Sequence, residues 1–360
     1  MAQQRSRPHV APVVLMFFAA LSWPLSAAEK PAPAVDPCVE AGLAWLARHQ
    51  EADGHWKVQT HESQQKTDTA CAGLALLAFL RAGNTETSGR YKDNVRRGVA
   101  WLASKQNAKG LVFDGTDAGA HRGIGYPHAI AGMALMEAAA RAKQPSTLSA
   151  AQKAVDYAFK FHQSDQGGFR YAEKQDGCIS VSGWFVQMLY LARKAGLRLD
   201  PAGMNRLRTF LKGLEYKKDD VTLFKYRPDD PHESTAHRLA ALGVTARLCL
   251  DGPQADVFES LDWALAKASV PGWGDGKTDL YFWYYLTQAT GLSGGETRDK
   301  WQEAVGRTLK DNQCKDGDAA GSWNPVGDYA LEWGRVGQTA LACLCLLPPE
   351  PVKESAPGKK

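Results

Sequence analysis

A short grammar recurs along this chain. Gly42-Leu43-Ala44-Trp45-Leu46 runs on to Gln50 and Asp53-Gly54-His55-Trp56, and Gly98-Val99-Ala100-Trp101-Leu102 runs on to Gln106 and Gly110. Looser copies place Tyr157 before Gln163 and Gly167-Gly168-Phe169, and Leu309 before Gln313, Asp316-Gly317 and Gly321-Ser322-Trp323. Each copy reads as an amphipathic helix ending in Gln, a Gly-containing turn and a closing aromatic. A second, more apolar helix follows each time. One such pair cannot bury its own apolar face, so a period of roughly 50 residues demands stacked neighbours.

Counting on that spacing predicts six helix pairs. The outer-type helices fall at about 38–50, 94–106, 150–163, 203–216, 254–268 and 298–313, and the inner-type helices at about 67–83, 126–142, 178–196, 233–250, 279–291 and 333–347. No period-2 alternation suggests a strand. Outer helices carry an apolar stripe backed by charge, as in Asn94 to Leu102, whereas Thr69 to Leu80 is apolar on nearly every side. The first pattern suits a helix half in water and the second a helix surrounded by others. Thr67 or Asp68 opens one inner helix, and Gly83, Gly196 and Gly291 close three. Two concentric rings satisfy both patterns, so the expected fold is all-α, an α6/α6 toroid.

The ends are expected to lie outside that ring. Arg5 and Arg7 precede an apolar stretch from Val10 to Leu25, and Ser26-Ala27-Ala28 supplies small residues before Glu29; residues 1–28 therefore read as a signal peptide, with an uncleaved anchor as the alternative. The stretch is short and interrupted by Pro12 and Pro24, so no stable membrane span is expected after cleavage. Residues 29–37 read as a Pro/Ala-rich linker, 38–347 as the toroid and 348–360 as a tail with too few apolar residues to fold. Export to the periplasm or the outside of the cell follows from this reading. The formal charge of +4 includes Arg5 and Arg7, so the mature chain is nearly neutral. With no basic stripe or nucleic-acid motif, a nucleic-acid partner is not expected. Seven cysteines are irregularly spaced and include no Cys-x-x-Cys pair; they read as buried thiols.

The Gly42 to Trp56 run resembles the QW repeat of squalene–hopene and oxidosqualene cyclases, whose fold is shared by protein prenyltransferase β subunits. The segments Asp279 to Tyr285, Gly321-Ser322-Trp323 and Gly334 to Ala340 are similar to those of exported bacterial squalene-cyclase-like (prenyltransferase and squalene oxidase repeat) proteins. The resemblance spans all six pairs and implies a terpenoid cyclase/protein prenyltransferase toroid. In such a repeat the Gln amide is expected to satisfy backbone groups at the helix end and in the turn, tying outer helix to inner helix. Gln50, Gln106, Gln163, Gln313, Trp56 and Trp323 are then scaffold.

The family's chemistry is where this chain departs. Cyclases of this fold protonate their substrate through Asp-x-Asp-Asp, and the nearest strings here, Lys218-Asp219-Asp220 and Pro228-Asp229-Asp230, lack the first Asp. Prenyltransferases hold zinc through an Asp, a Cys two residues later and a distant His. Asp279 fits the first place, but Tyr281 and Gln338 occupy the others, and neither is a good zinc ligand. Gly272 to Thr278 is similar to a phosphate loop without its first Gly. A cofactor is therefore not expected, and whether the chain is an enzyme stays open.

A toroid gathers its inner-helix N-termini at one mouth, where helix dipoles favour negative charge. Residues expected around that mouth are the cations Arg170, Lys225 and Arg227, the carboxylates Asp68, Glu233 and Asp279, and His128 and His237. Tyr126, Trp184, Tyr281, Trp283 and Trp333 would form an aromatic funnel. The competing reading is that these acids cap helices and these aromatics fill core. Three functions fit: a non-catalytic binding or scaffold toroid for an apolar or anionic amphiphilic, lipid-like ligand; an isoprenoid-processing enzyme using Asp68 or Asp279 as an unusual acid; and a carbohydrate-active α6/α6 toroid, which needs two carboxylates about 5–9 Å apart.

Overall fold

The computed structural model describes residues 1, 35–117, 123–230, 236–268 and 271–351. The expected signal peptide beyond Met1, most of the linker, Glu233 and most of the tail lie outside the described residues. Twelve α-helices alternate along the chain: α1 (Pro37–Arg48), α2 (Asp68–Arg81), α3 (Lys92–Ser104), α4 (Gly125–Ala142), α5 (Pro145–Tyr157), α6 (Ile179–Lys194), α7 (Pro201–Gly213), α8 (Ala236–Asp251), α9 (Ala255–Lys267), α10 (Leu280–Ser293), α11 (Gly295–Asp311) and α12 (Ala330–Leu346). The even-numbered helices pack side by side in the order α2, α4, α6, α8, α10, α12, and α12 returns to α2. That closes the inner ring.

Burial follows the sequence pattern. Every residue of α2 from Asp68 to Leu80 is buried, whereas α3 buries only Val95, Gly98, Val99, Trp101 and Leu102. Small residues set how closely inner helices approach. A Cβ on Gly73 would sit 2.9 Å from the α4 backbone at Ile130 and Ala131, so α2 and α4 meet nearly backbone to backbone.

The repeated Gln works differently from the expectation. Gln50 Nε2 donates to the Gly54 carbonyl in its own turn (2.8 Å) and to the Asn94 carbonyl (3.0 Å). Gln106 does the same to Gly110 and Ala150, and Gln163 to Gly167 and Gly203. Gln313 donates to Gly321 and to Cys38, each at 2.8 Å. The second acceptor always lies on the next outer helix, so the Gln ties pair to neighbouring pair, and Gln313 joins the last to the first. The link within a pair is made by tryptophan. Trp56 Nε1 donates to Leu46 and Trp323 Nε1 to Leu309, both at 2.8 Å, satisfying carbonyls at outer-helix C-termini.

The fourth and fifth pairs lack this Gln. After α7 the chain forms an antiparallel hairpin of β1 (Glu215–Lys218) and β2 (Val221–Phe224), with Asp219 and Asp220 both at positive φ in its two-residue turn. No strand was expected from the sequence, because Thr222, Leu223 and Phe224 are all buried and so leave no alternation to read. β2 packs on α8 and α9. Serine and threonine hydroxyls replace the amide: Ser260 Oγ donates to Thr222 (2.6 Å) and Thr308 Oγ1 to Pro271 (2.8 Å). All seven cysteines are free, six of them buried. Among the described residues no helix is long and apolar enough to cross a membrane.

Candidate functional site

Each outer helix runs antiparallel to its inner partner, so the long connections within pairs, four of which carry the Gln, and the inner-helix N-termini share one mouth of the ring. A cavity of about 280 Å³ opens there, lined mainly by apolar surface. All six inner helices or the residues just before them contribute: Thr67 and Ala70, Tyr126, Ser180, Leu239 and Leu242, Tyr281, and Trp333. Tyr226, Tyr329, Gln65, Arg238 and Glu332 complete the wall.

Of the residues singled out from the sequence, Tyr126, Tyr281 and Trp333 meet in this cavity. Tyr126 donates its hydroxyl to Ser180 Oγ (2.9 Å). Trp333 is 9% exposed, and its indole N–H has no acceptor among the described residues. A buried indole N–H without a partner is unusual, and here it belongs to a cavity wall. Trp333 is placed by a break in α12. Gly334 has φ +57°, and a Cβ there would meet the His61 carbonyl at 2.5 Å, so the turn carrying Trp333 leans away from the helix axis.

Asp279 lies one layer behind the wall, 7% exposed. Its Oδ1 accepts from the Phe282 N–H (3.0 Å) to cap α10, and its Oδ2 pairs with Arg238 Nε at 2.8 Å. Burial raises its pKa despite these two partners. Arg238 also pairs with Asp328 at 2.6 Å.

The other residues serve elsewhere. Asp68 is buried and caps the turn at Val58 through a 3.0 Å bond. His128 accepts the Val112 N–H at Nδ1 (3.1 Å), so its proton sits on Nε2 and faces the Ala154 carbonyl (3.3 Å). Burial pushes its pKa down to about 3, so it is a neutral core imidazole. Arg170 lies over the Tyr171 ring at 5.3 Å. Lys225 reaches the Pro228 carbonyl at 3.4 Å, and exposed Arg227 pairs with Asp230 at 2.9 Å. His237 stands edge-on to Phe282, and Trp283 is 3% exposed away from the cavity.

The expected positive mouth is therefore corrected. Arg170, Lys225 and Arg227 do not line the cavity, because each is engaged in its own loop. Among the described residues one cation, Arg238, faces three carboxylates: Asp279 and Asp328, which it binds, and Glu332. Arg238 carries no motif of its own in the sequence; it follows His237 in α8, and one residue along a helix is a rotation of about 100°. Glu332 lies beside Trp333 but carried no motif.

Below the cavity the ring fills its own centre. Trp184 is fully buried and stacks on Tyr284 across the lumen, with centroids 4.9 Å apart. Tyr284 donates to Gln187 at 2.8 Å, and Tyr285 packs against both Trp184 and Tyr284. These side chains form a floor. On its far side, at the inner-helix C-termini, lies a second and more polar cavity of about 290 Å³, which shares no lining residue with the first.

The positions at which the sequence resemblance would place a zinc ion hold other partners here. Asp279 holds Arg238, and Gln338 donates to the Val326 carbonyl at 2.9 Å. Neither of the two adjacent Asp pairs, Asp219-Asp220 and Asp229-Asp230, lines the cavity.

No protein-family model matches the sequence, and a search of curated proteins finds no match. Solved structures do match in fold. A novel alpha-amylase from Clostridium perfringens aligns with TM-score 0.63 at 12% identity, covering 86% of this chain and 97% of that one. The GH76A alpha-1,6-mannanase of Salegentibacter sp. HEL1_6 aligns with TM-score 0.56 at 11% identity (86% and 98%). The type II terpene cyclase MstE from Scytonema aligns with TM-score 0.55 at 15% identity (86% and 96%). The mannanase has been seen with alpha-1,6-mannotriose in a variant inactivated at two consecutive aspartates, and the cyclase with geranylgeranyl dihydroxybenzoate. At these identities the likeness establishes the α/α toroid and leaves the activity of this chain open.

Proposed function

We propose that this chain is an exported, squalene-cyclase-like toroid that binds a small, largely apolar molecule in the cavity at its inner-helix N-termini, without catalysing a reaction on it. The observation that carries this is the cavity itself: six helices converge on an apolar pocket with aromatic walls and a few polar groups, the usual composition of a small-ligand site. The unpartnered Trp333 N–H supports a ligand carrying one acceptor, such as a hydroxyl. The carboxylate excess around Arg238 favours a neutral or cationic head over the anionic one the sequence suggested, because like charge in a half-buried mouth is unfavourable. Its volume is near the lower end for ligand pockets, which suits a short isoprenoid alcohol.

Both catalytic readings lack a group. Protonating an alkene needs a strong acid, and Asp279 is tied to Arg238. Hydrolysing a glycoside needs two carboxylates flanking the bond, and Glu332 is the one carboxylate that lines the cavity among the described residues.

Tryptophan fluorescence titration with geraniol, geranyl diphosphate and mannotriose separates the readings. Geraniol is expected to quench saturably, geranyl diphosphate to bind at least about tenfold more weakly, and mannotriose not to bind. Tighter binding of mannotriose, with reducing ends released, would transfer the site to carbohydrate chemistry. Conversion of geranyl diphosphate would make the chain an isoprenoid enzyme. No quenching by any of the three would leave a plain scaffold.

A further inference from the structure

The second cavity, on the far side of the Trp184–Tyr284 floor, has its own chemistry. It lies where the last turns of α2, α4 and α6 meet α10 and the segment Leu346 to Glu350. Two donor atoms in its wall have no acceptor among the described residues. Gln288 is 2% exposed and its Nε2 is buried without a hydrogen bond, and Arg81 Nη1 is buried in the same state, although the Tyr284 hydroxyl lies against the Arg81 guanidinium. A buried donor left unmade costs about 1–3 kcal/mol, more when charged, so two in one cavity call for a missing acceptor.

Helix capping does not account for them. Cations belong at helix C-termini because the exposed carbonyls there are negative, and two neighbours act in that way or pair locally. Arg193 donates to the Cys249 carbonyl at 2.8 Å, and Arg141 takes Glu137 at 2.7 Å. Arg81 sits in the last turn of α2, yet no carbonyl receives its Nη1. Lys194, over the Tyr190 ring, adds a second positive charge to the lining.

We propose that this mouth is a second ligand site, for a small oxyanion whose oxygens are held by the Arg81 guanidinium and the Gln288 amide. An arginine fork with a neighbouring amide donor is suited to planar carboxylate or tetrahedral phosphate oxygens. Glu137 is already neutralised by Arg141, so the charges left in the lining are the cations Arg81 and Lys194 and the carboxylate Glu350, and cations stay in excess by one. The site is independent of the reading given for the apolar cavity, which the floor separates from it.

The test is calorimetric titration of the full chain with inorganic phosphate and with succinate, against sodium chloride at matched ionic strength. Saturable binding of phosphate, succinate or both is expected, and none of chloride. Arg81→Met and Gln288→Leu should each weaken it at least about tenfold, whereas Glu332→Gln at the other mouth should leave it unchanged. A second readout guards against misfolding. Gln288→Leu removes the orphan amide, so it should raise the unfolding midpoint in phosphate-free buffer, and saturating anion should narrow that gap by stabilising only the parent. Absence of saturable binding by both anions, or equal affinity in the parent and both variants, would overturn the proposal and leave the cavity to water.

Discussion

The two mouths of this ring are made by the same six helices and differ in nearly everything else. Among the described residues, the N-terminal mouth has long connections, aromatic walls and one cation, Arg238, surrounded by the carboxylates Asp279, Asp328 and Glu332; the C-terminal mouth has short connections, a polar lining and an excess of cations, three against two. Helix dipoles alone would give the opposite signs. The reversal arises because the sequence complements the dipoles: Asp68 and Asp279 open α2 and α10, while Arg81, Arg141, Arg193 and Lys194 close α2, α4 and α6. Side chains that stabilise helix ends therefore set the field a ligand meets, and a potential inferred from the backbone alone has the wrong sign.

That contrast depends first on the floor between the mouths. Trp184→Ala should remove it, join the cavities and cost about 3–5 kcal/mol, as for other large buried aromatics. Urea unfolding measures this, and a variant as stable as the parent would show that the two cavities are not separated by packing.

The next largest effect belongs to the ion pair of the acidic mouth. Asp279→Ala removes the α10 cap and leaves half-buried Arg238 with Asp328 alone, at a cost of about 3 kcal/mol. Asp279→Asn keeps an acceptor for Phe282 and should cost clearly less. Equal losses would mean that the cap contributes nothing beyond the ion pair.

Asp117, buried beside Asp68 at the base of the same mouth, gives a pH signature. Its Oδ2 accepts the Thr69 N–H at 3.0 Å, but burial, with help from Asp68 and Asp114, raises its pKa from 3.8 to about 6. The folded chain thus binds this proton more tightly than the unfolded chain. Stability should be greatest below pH 3.8 as far as this group is concerned, fall as pH rises to about 6 and then level off, by up to about 3 kcal/mol. Asp117→Asn should flatten that slope in thermal melts across the window. A slope that survives would assign it to other groups, Asp68 first, since burial raises its pKa too.

The smallest effect tests the rim. Gln313→Leu deletes two hydrogen bonds at the seam between last and first pairs, at about 1–2 kcal/mol. Amide exchange should quicken around Cys38 and Gly321 while the C-terminal ends of α2 and α12 stay protected. Uniform quickening would mean that the staple holds the whole ring rather than one mouth.

The sequence carried the ring and little of the site. Period, burial pattern and Gln spacing are properties of whole helices, and they located all twelve. The β1–β2 hairpin was illegible because its buried residues run consecutively. Tyr126, Tyr281 and Trp333 were legible as aromatics at inner-helix starts. Trp184 and Trp283 carried the same signal, yet one is the floor and the other lies away from the cavity, since helical rotation decides which way an aromatic faces. Arg227 looked like a mouth residue until Asp230, three positions on, claimed it. Charge is settled by partners, and partners here come from distant segments, as Asp328 does for Arg238.

The bond from Gln313 to the Cys38 carbonyl also bears on how such a chain can reach its native state. Residues 275 apart must meet, and α12 must dock on α2, before any inner helix has two neighbours at the seam. Until the final helix emerges, a growing chain holds an open arc with one apolar face uncovered. Most pairs need only their immediate predecessor, so assembly can proceed stepwise, but closure is a single late event of high sequence separation. A truncation that removes α12 alone should therefore behave as an unfinished intermediate prone to self-association, not as a slightly smaller ring.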